Sequence, residues 1–419
     1  MKISKLHIDQ FRHLENLDFD FTYQSGSRKG QALDKICFIG QSATGKTCLL
    51  DLINNDITAL LEVEVDQNKH VFHIPTKINS ALELHINNNK YEYKDHSFFI
   101  DNHKIAPSKL TTTELGKFIE SNNPIFHITS EILSKQNLSI FEEDTVLLIE
   151  QFKSLKDIVP QHTDIIKFND DVENTIWVSL LKDNINYLQN FLQFASELIN
   201  GGSILDNSIQ KKVDDWKTKN SNPLIAFSQS FDIILEKVQL EVDLVNTKNI
   251  IPLKNKISNE NIPINNISTG TKQLLLTALP LYKLNTTNAI ILIDEPERSL
   301  YPDMQMELME HYQILAPDAQ FIVATHSPFI AASFEPEERF ILYFDEEGKV
   351  AVRRGSSPIG DDPNDILYND FGINYINKYG QQKYKEYLEL KQKIYFEENE
   401  NTKKEYIEKL EKLGDDYNF

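Results

Sequence analysis

One stretch of eight residues limits what this chain can fold into more than any other. Gly40-Gln41-Ser42-Ala43-Thr44-Gly45-Lys46-Thr47 fits the pattern G-x-x-x-x-G-K-[ST] in full. It follows a short apolar run, Lys35-Ile36-Cys37-Phe38-Ile39, that reads as a strand buried on both faces of a sheet. Residues 46–53 read as a helix. The residue types answer to a mechanism. Gly40 and Gly45 let the backbone curl, so that successive N–H groups across Gln41, Ser42, Ala43 and Thr44 point inward at phosphate oxygens. The helix that follows adds the positive end of its dipole. Lys46 is placed to reach the outer phosphates, and the Thr47 hydroxyl to bind Mg²⁺.

A second constellation lies far downstream. Ile290-Ile291-Leu292-Ile293 is a continuous apolar run ending in Asp294-Glu295-Pro296. A buried parallel strand delivers its C-terminal end to the ligand crevice. Asp294 is therefore expected to hold the Mg²⁺ shell through water. Glu295, one residue on, points elsewhere and is expected to polarise the attacking water.

Strands read at 2–8, 17–21, 35–39, 124–128, 290–293 and 321–324 alternate with helices, among them two starting near 270 and 302. This pattern predicts an α/β fold with a mixed, largely parallel sheet covered by helices. Residues 60–105 read as β-rich, with a hairpin at Asn87-Asn88-Asn89, and 340–344 and 350–353 form a last strand pair. Residues 140–250 read as helical, with amphipathic stretches at 177–198 and 224–245 separated by Gly201-Gly202. Ile251-Pro252-Leu253 and Ile262-Pro263-Ile264 read as a short hairpin. The tail, 381–413, reads as two charged helices broken near 399–401; a solvated face and a partner-docking face both fit it.

Composition narrows the class. Lys and Arg total 43 against 63 Asp and Glu, for a net charge of −20. Such a surface repels nucleic acid on average, so a general DNA coat does not fit, although a local basic groove or a partner still permits DNA contact. Cys37 and Cys48 sit in short apolar segments and read as small buried hydrophobes rather than redox or metal groups. No apolar run approaches the roughly 18 residues of a membrane span, and the opening residues hold no signal-peptide core. The expectation is a soluble, cytoplasmic protein with no membrane partner.

Three further segments carry a family resemblance. Ser268-Thr269-Gly270-Thr271-Lys272-Gln273 opens a helix about 25 residues before the acidic pair. It resembles the signature motif of ABC ATPases, in a form with a single central glycine. Ser299-Leu300-Tyr301-Pro302 stands where that class has its D-loop. Thr325-His326-Ser327-Pro328 stands where it has its switch histidine. The opening Ile8-Asp9-Gln10-Phe11-Arg12-His13-Leu14 resembles that of the SMC, RecF and OLD-like branch. Residues 362–372 resemble a segment of ATPases from bacterial defence islands, such as the Septu, PARIS and retron-associated subunits.

The resemblance implies a P-loop NTPase fold, an ABC ATPase head with an inserted helical lid and a C-terminal helical tail. It divides the chain into an N-terminal lobe (1–140), a helical insertion (141–250), a C-terminal lobe (251–355) and a tail (356–419). It also implies a homodimer, or a higher oligomer of dimers, closing on two ATP with Mg²⁺. Lys46, Thr47 and Asp294 would then act from one subunit, and Ser268 and Gly270 from the other. Glu295, His326 and Lys46 are the implied catalytic residues. The family's glutamine loop has no clear counterpart. Glu131, after Ser130, takes its expected place as a metal contact, with Gln136 nearby. Arg12 either lines the nucleotide pocket or makes a plain salt bridge.

For the output, the resemblance implies a sensor ATPase regulating a partner effector, a nuclease or toxin from a neighbouring gene, in anti-phage defence. The alternative is a DNA repair or chromosome-maintenance ATPase acting directly on DNA. A transporter subunit fits neither the opening motif nor the insertion of about 220 residues between the two phosphate-binding motifs. After residue 345 the acids are scattered among lysines, so no nuclease carboxylate cluster is read there.

Overall fold

The structure, a computed structural model, describes residues 1–61, 64–66, 71–73, 78–86, 89–95, 97–105, 125–142, 147–150, 166–200, 209–246, 248–360, 363–373, 378–397 and 399–417. Asn87, Asn88, Pro124, Gly201, Gly202 and Asp362, used in the reading above, lie outside these residues.

An antiparallel sheet is built from β1 (Lys2–Phe11), β2 (Leu14–Asp20), β6 (Ala81–Ile86), β7 (Asn89–Lys94), β8 (Ser97–Ile100) and β9 (His103–Ile105), in the order β2-β1-β6-β7-β8-β9. The central sheet has seven strands in the order β11 (Ile166–Phe168), β10 (Ile125–Ile128), β15 (Ile290–Asp294), β16 (Gln320–Ala324), β3 (Lys35–Gly40), β17 (Arg339–Phe344) and β18 (Val350–Arg354). Every neighbouring pair in it is parallel except β17 with β18. Among the described residues there are also two small sheets: β4 (Glu64–Asp66) with β5 (Val71–His73), and β12 (Leu240–Val242), β13 (Leu253–Asn255) and β14 (Asn261–Ile262).

Side chains alternate across a strand, so the central strands feed two cores. Ile290, Leu292, Ile322 and Phe38 join the core formed with the antiparallel sheet and α1 (Lys46–Leu61). Ile291, Ile293, Phe321 and Cys37 join the other core. That second core takes in Trp177 of α3 (Asn174–Leu180), Ile185 of α4 (Lys182–Asn200), Phe227 of α6 (Pro223–Leu235), Leu275 of α7 (Thr269–Lys283) and Leu308 of α8 (Pro302–Leu315). Each fully buried apolar side chain of this kind stabilises the fold by roughly 2 kcal/mol. Parallel register brings the C-terminal strand ends together: Asp294 lies opposite Ala324, Ala324 opposite Phe38, and Ile293 opposite Ile128.

Several local expectations shift. The stretch 177–198 is two helices interrupted at Leu181. The helix expected over 224–245 stops at Leu235; a 3-10 turn and a left-handed Gln239 (φ 56°) turn the chain into β12. The Asp232 carboxylate accepts the Val242 N–H at 2.9 Å and holds that reversal. The hairpin near 251–264 pairs Leu253 with Ile262 and Lys254 with Asn261. Pro252 and Pro263 lack an N–H and stand just outside the ladder. Within the stretch read as a helical insertion, Ile166–Phe168 instead extends the central sheet.

Further helices are α2 (Lys135–Glu142), α5 (Ile209–Lys219), the short α9 (Pro328–Ala331) and α10 (Pro363–Asn369), and the tail pair α11 (Lys378–Phe396) and α12 (Glu400–Tyr417). Among the described residues no helix is long and apolar enough to cross a membrane.

Candidate active site

The loop between β3 and α1 is held in a shape that few side chains tolerate. Gly40 has φ 151°, and a Cβ there would stand 2.2 Å from the Leu342 carbonyl oxygen. Gly45 has φ 94°, and its Cβ would meet Leu14 at 2.8 Å and the His13 ring at 2.9 Å. Ala43 between them is also left-handed, at φ 68°. Gln41 and Ser42 are exposed, while Thr44 is buried with its hydroxyl donating to Gln41 O at 2.8 Å.

Lys46 opens α1 and is buried. Its ammonium donates to Gly40 O at 2.9 Å and Gln41 O at 3.1 Å. It makes no ion pair among the described residues. Burial pushes its pKa down, against the pull of Asp294, Glu295 and Glu297. A buried cation satisfied only by carbonyls, at a helix N-terminus, fits an incoming anion.

Beside it the Thr47 hydroxyl donates to the Asp294 carboxylate, 3.0 Å from Oδ2 and 3.3 Å from Oδ1. Burial raises the Asp294 pKa to about 6, with Glu295 adding to the rise and the Thr47 bond opposing it. A hydroxyl and a carboxylate, both oxygen donors, are the chemistry a hard divalent cation takes. The residues present thus fit both a nucleotide phosphate and Mg²⁺.

Glu295 leaves the strand in a left-handed conformation, φ 48°, with its N–H on Ala324 O at 2.8 Å. Such a backbone costs about 1–3 kcal/mol and persists only where its surroundings enforce it. The turn aims its Oε1 to 3.9 Å from Nε2 of His326. Burial lowers the His326 pKa, the nearby Lys46 lowers it further, and Glu295 opposes both. Lys46, Thr47, Asp294, Glu295 and His326 are therefore brought to one place, at the C-terminal edge of the parallel strands.

The other predicted residues sit differently. Ser268 is the N-cap of α7: its Oγ accepts the Thr271 N–H at 3.1 Å and lies 2.7 Å from Thr271 Oγ1. Gly270 is buried, and a Cβ there would stand 2.3 Å from Ser299 O. Within one chain, Ser268 and Gly270 make no hydrogen bond to Lys46, Thr47 or Asp294; Gly270 packs on the turn that follows Glu295.

Arg12 is exposed, with Nη1 3.1 Å from Cys48 Sγ and 3.9 Å from Asp51 Oδ2. Glu131 is exposed in the turn after β10 and makes no hydrogen bond or ion pair to Thr47 or Asp294. Gln136 donates to Asp171 Oδ1 at 2.7 Å instead.

Sequence reasoning missed Glu297 and Gln305. Glu297 accepts the His326 N–H at 2.8 Å, and burial raises its pKa. Gln305, on α8, bonds both Leu300 O and the Ser327 hydroxyl. The only available signal was an acid and an amide shortly after the Asp294-Glu295 pair.

The chain is 24% identical over 230 residues to the "Retron Vc95 probable ATPase" of Vibrio cholerae serotype O1 biovar El Tor. That match takes in 52% of this chain and 42% of the relative, so the chain spans less than half the length of the curated relative it matches. Among solved structures, the SMC head domain from Thermotoga maritima overlaps 85% of this chain and 100% of its own, at 11% identity and TM-score 0.40. The Smc head domain with an extended coiled coil bound to the C-terminal domain of ScpA, from Pyrococcus furiosus, overlaps 85% and 96% at 14% identity and TM-score 0.37. Both overlaps are loose. Residues 35–332, well over half of the chain and spanning the whole loop-to-histidine constellation, match one family throughout. The chain belongs to that family, the AAA domains described as "putative AbiEii toxin, Type IV TA system".

Proposed function

We propose that this chain hydrolyses ATP as a dimer of two nucleotide-sandwiching subunits, and that the cycle regulates a partner effector in anti-phage defence. The observation that carries the reading is the buried, carbonyl-bound Lys46 ammonium beside the Thr47–Asp294 pair, with Glu295 and His326 facing each other at 3.9 Å. Lys46 and the loop N–H groups hold the outer phosphates of ATP. Thr47 and Asp294 hold Mg²⁺, which when bound neutralises charge on the phosphate oxygens. Glu295 orients and polarises the attacking water, and His326 contacts the terminal phosphate. Catalysis is positioning and electrostatics in a partly dry site.

Ser268 and Gly270 act across the dimer, at the start of a 15-residue helix whose N-terminal end favours an anion. The retron name of the relative and the toxin–antitoxin name of the family support an effector-linked role. A net charge of −20 weighs against direct action on DNA.

Two variants test the reading. Lys46→Ala is expected to lose binding of a fluorescent ATP analogue. Glu295→Gln is expected to keep binding while turnover falls about 10²–10⁴-fold, and to double in mass by light scattering with ATP. Undiminished turnover in Glu295→Gln would remove Glu295 from its role. A mass that stays monomeric at saturating ATP would remove the dimer.

A further inference from the structure

The segment from Glu295 to Tyr301 is a junction rather than a plain loop. It is left-handed at Glu295 (φ 48°) and at Ser299 (φ 62°). It supports the start of α7 through the contact of Gly270 with Ser299 O. Arg298 donates to Ser130 O at 2.7 Å and ties the segment to the turn after β10. Its closest ties run to the loop that carries His326.

Two side chains make those ties. The Glu297 carboxylate accepts the His326 N–H at 2.8 Å, with Thr325 beside it. The Gln305 Oε1 accepts a hydrogen bond from the Ser327 hydroxyl at 2.6 Å, and its Nε2 donates to Leu300 O at 2.8 Å. The Ser327 oxygen then accepts the N–H groups of Phe329 (3.1 Å) and Ile330 (3.2 Å). One donor and two acceptor positions exhaust that hydroxyl, so its orientation is fixed. His326 is thus anchored through its own amide and through the next residue, while its ring stays half free to face Glu295.

We propose that Glu297 and Gln305 form a two-point clamp that makes the His326 loop and the Glu295–Tyr301 turn move as one body, and that both are positioning residues for His326. The proposal rests on the ATPase reading above and adds a regulation of that same site. Any displacement of the turn, by nucleotide or by a second subunit, then shifts the histidine with it.

Glu297→Ala is expected to cut turnover about 100-fold, the effect of a misplacement near 1 Å, with the nucleotide dissociation constant moving less than about threefold. Glu297→Gln keeps an accepting oxygen and is expected to stay within about fivefold of the parent. In the His326→Ala background, Glu297→Ala is expected to add no further loss, because its effect runs through the histidine.

Amide hydrogen exchange over 320–331, in nucleotide-free protein, reads the clamp without reference to turnover. Faster exchange there in Glu297→Ala and in Gln305→Ala supports it. Unchanged exchange, an additive loss in the double variant, or equal damage from Gln and Ala at 297 overturns it. A parent protein that fails to hydrolyse ATP while the exchange responds would sink the ATPase reading and leave the mechanical link standing.

Discussion

Replacing Asp294 by Asn is expected to make the metal-free protein more stable while ending its turnover. In the nucleotide-free protein, burial raises the Asp294 pKa from 3.8 to about 6. The folded state therefore holds a proton on Asp294 more tightly than the unfolded chain does. That contribution to stability is full below pH 3.8 and is lost as pH rises through about 6. Above pH 6 the folded protein carries an ionised carboxylate it has partly desolvated, a penalty of about 3 kcal/mol. Asparagine has no charge to desolvate and still offers Thr47 an oxygen. Allowing about 1 kcal/mol for a poorer hydrogen bond, the gain at pH 8 is about 2 kcal/mol, or a few degrees in melting temperature. At pH 5 most of the native carboxyl is already protonated and the penalty is about half as large, so after the same hydrogen-bond cost the gain shrinks to roughly a third. The assay is thermal unfolding of both proteins in EDTA at the two pH values, beside turnover with Mg²⁺. A variant that melts below the parent at pH 8, or gains equally at both pH values, refutes the argument.

Gly270→Ala puts a Cβ 2.3 Å from Ser299 O, so either α7 or the turn after Glu295 must move. A cost of about 1–3 kcal/mol and a loss of turnover exceeding any loss of ATP binding are expected, read by urea unfolding and steady-state kinetics. Asp370→Ala strips the partner from Arg339, in a pair 3.2 Å apart with both side chains fully buried. It is expected to destabilise by about 3–5 kcal/mol, and equal urea midpoints for variant and parent would show that Asp370 carries no such load.

How much of this could be read beforehand follows from where each partner lies. The phosphate loop was legible because its strand, turn and helix are contiguous, and because Gly40 and Gly45 stand where the backbone excludes a Cβ. Asp294 and Glu295 were legible because they close a continuous apolar run, and Ile290–Asp294 is a strand buried throughout. Glu297 was not. Its significance is a bond to an amide 29 residues later, and an acid in a turn carries no periodic signal. The helix read through 224–245 failed for a related reason. Leu240 and Val242 suit a helical face as well as a strand, and the choice was made by Asp232 and by pairing with β13. Residues 362–372 carried a resemblance without a cause. The structure supplies one for part of it: Asp370 is buried against Arg339 and accepts from both the N–H and the hydroxyl of Ser356.

The buried charges of the site point one way. Burial pushes the Lys46 pKa down and the Asp294 pKa up, so each is held against its own charged state. Neither makes an ion pair among the described residues, although both belong to one cluster. Pairing them directly would have relieved both costs. Kept apart, they suit an anion on one side and a cation on the other. A ligand that carries both charges relieves both costs together, whereas phosphate alone or metal alone relieves one and leaves the other in place. On the proposed reading, nucleotide and Mg²⁺ therefore strengthen each other's binding, by the same factor whichever arrives first. The left-handed turn at Glu295 sits next to this pair, where the proposed ligand would release its binding energy.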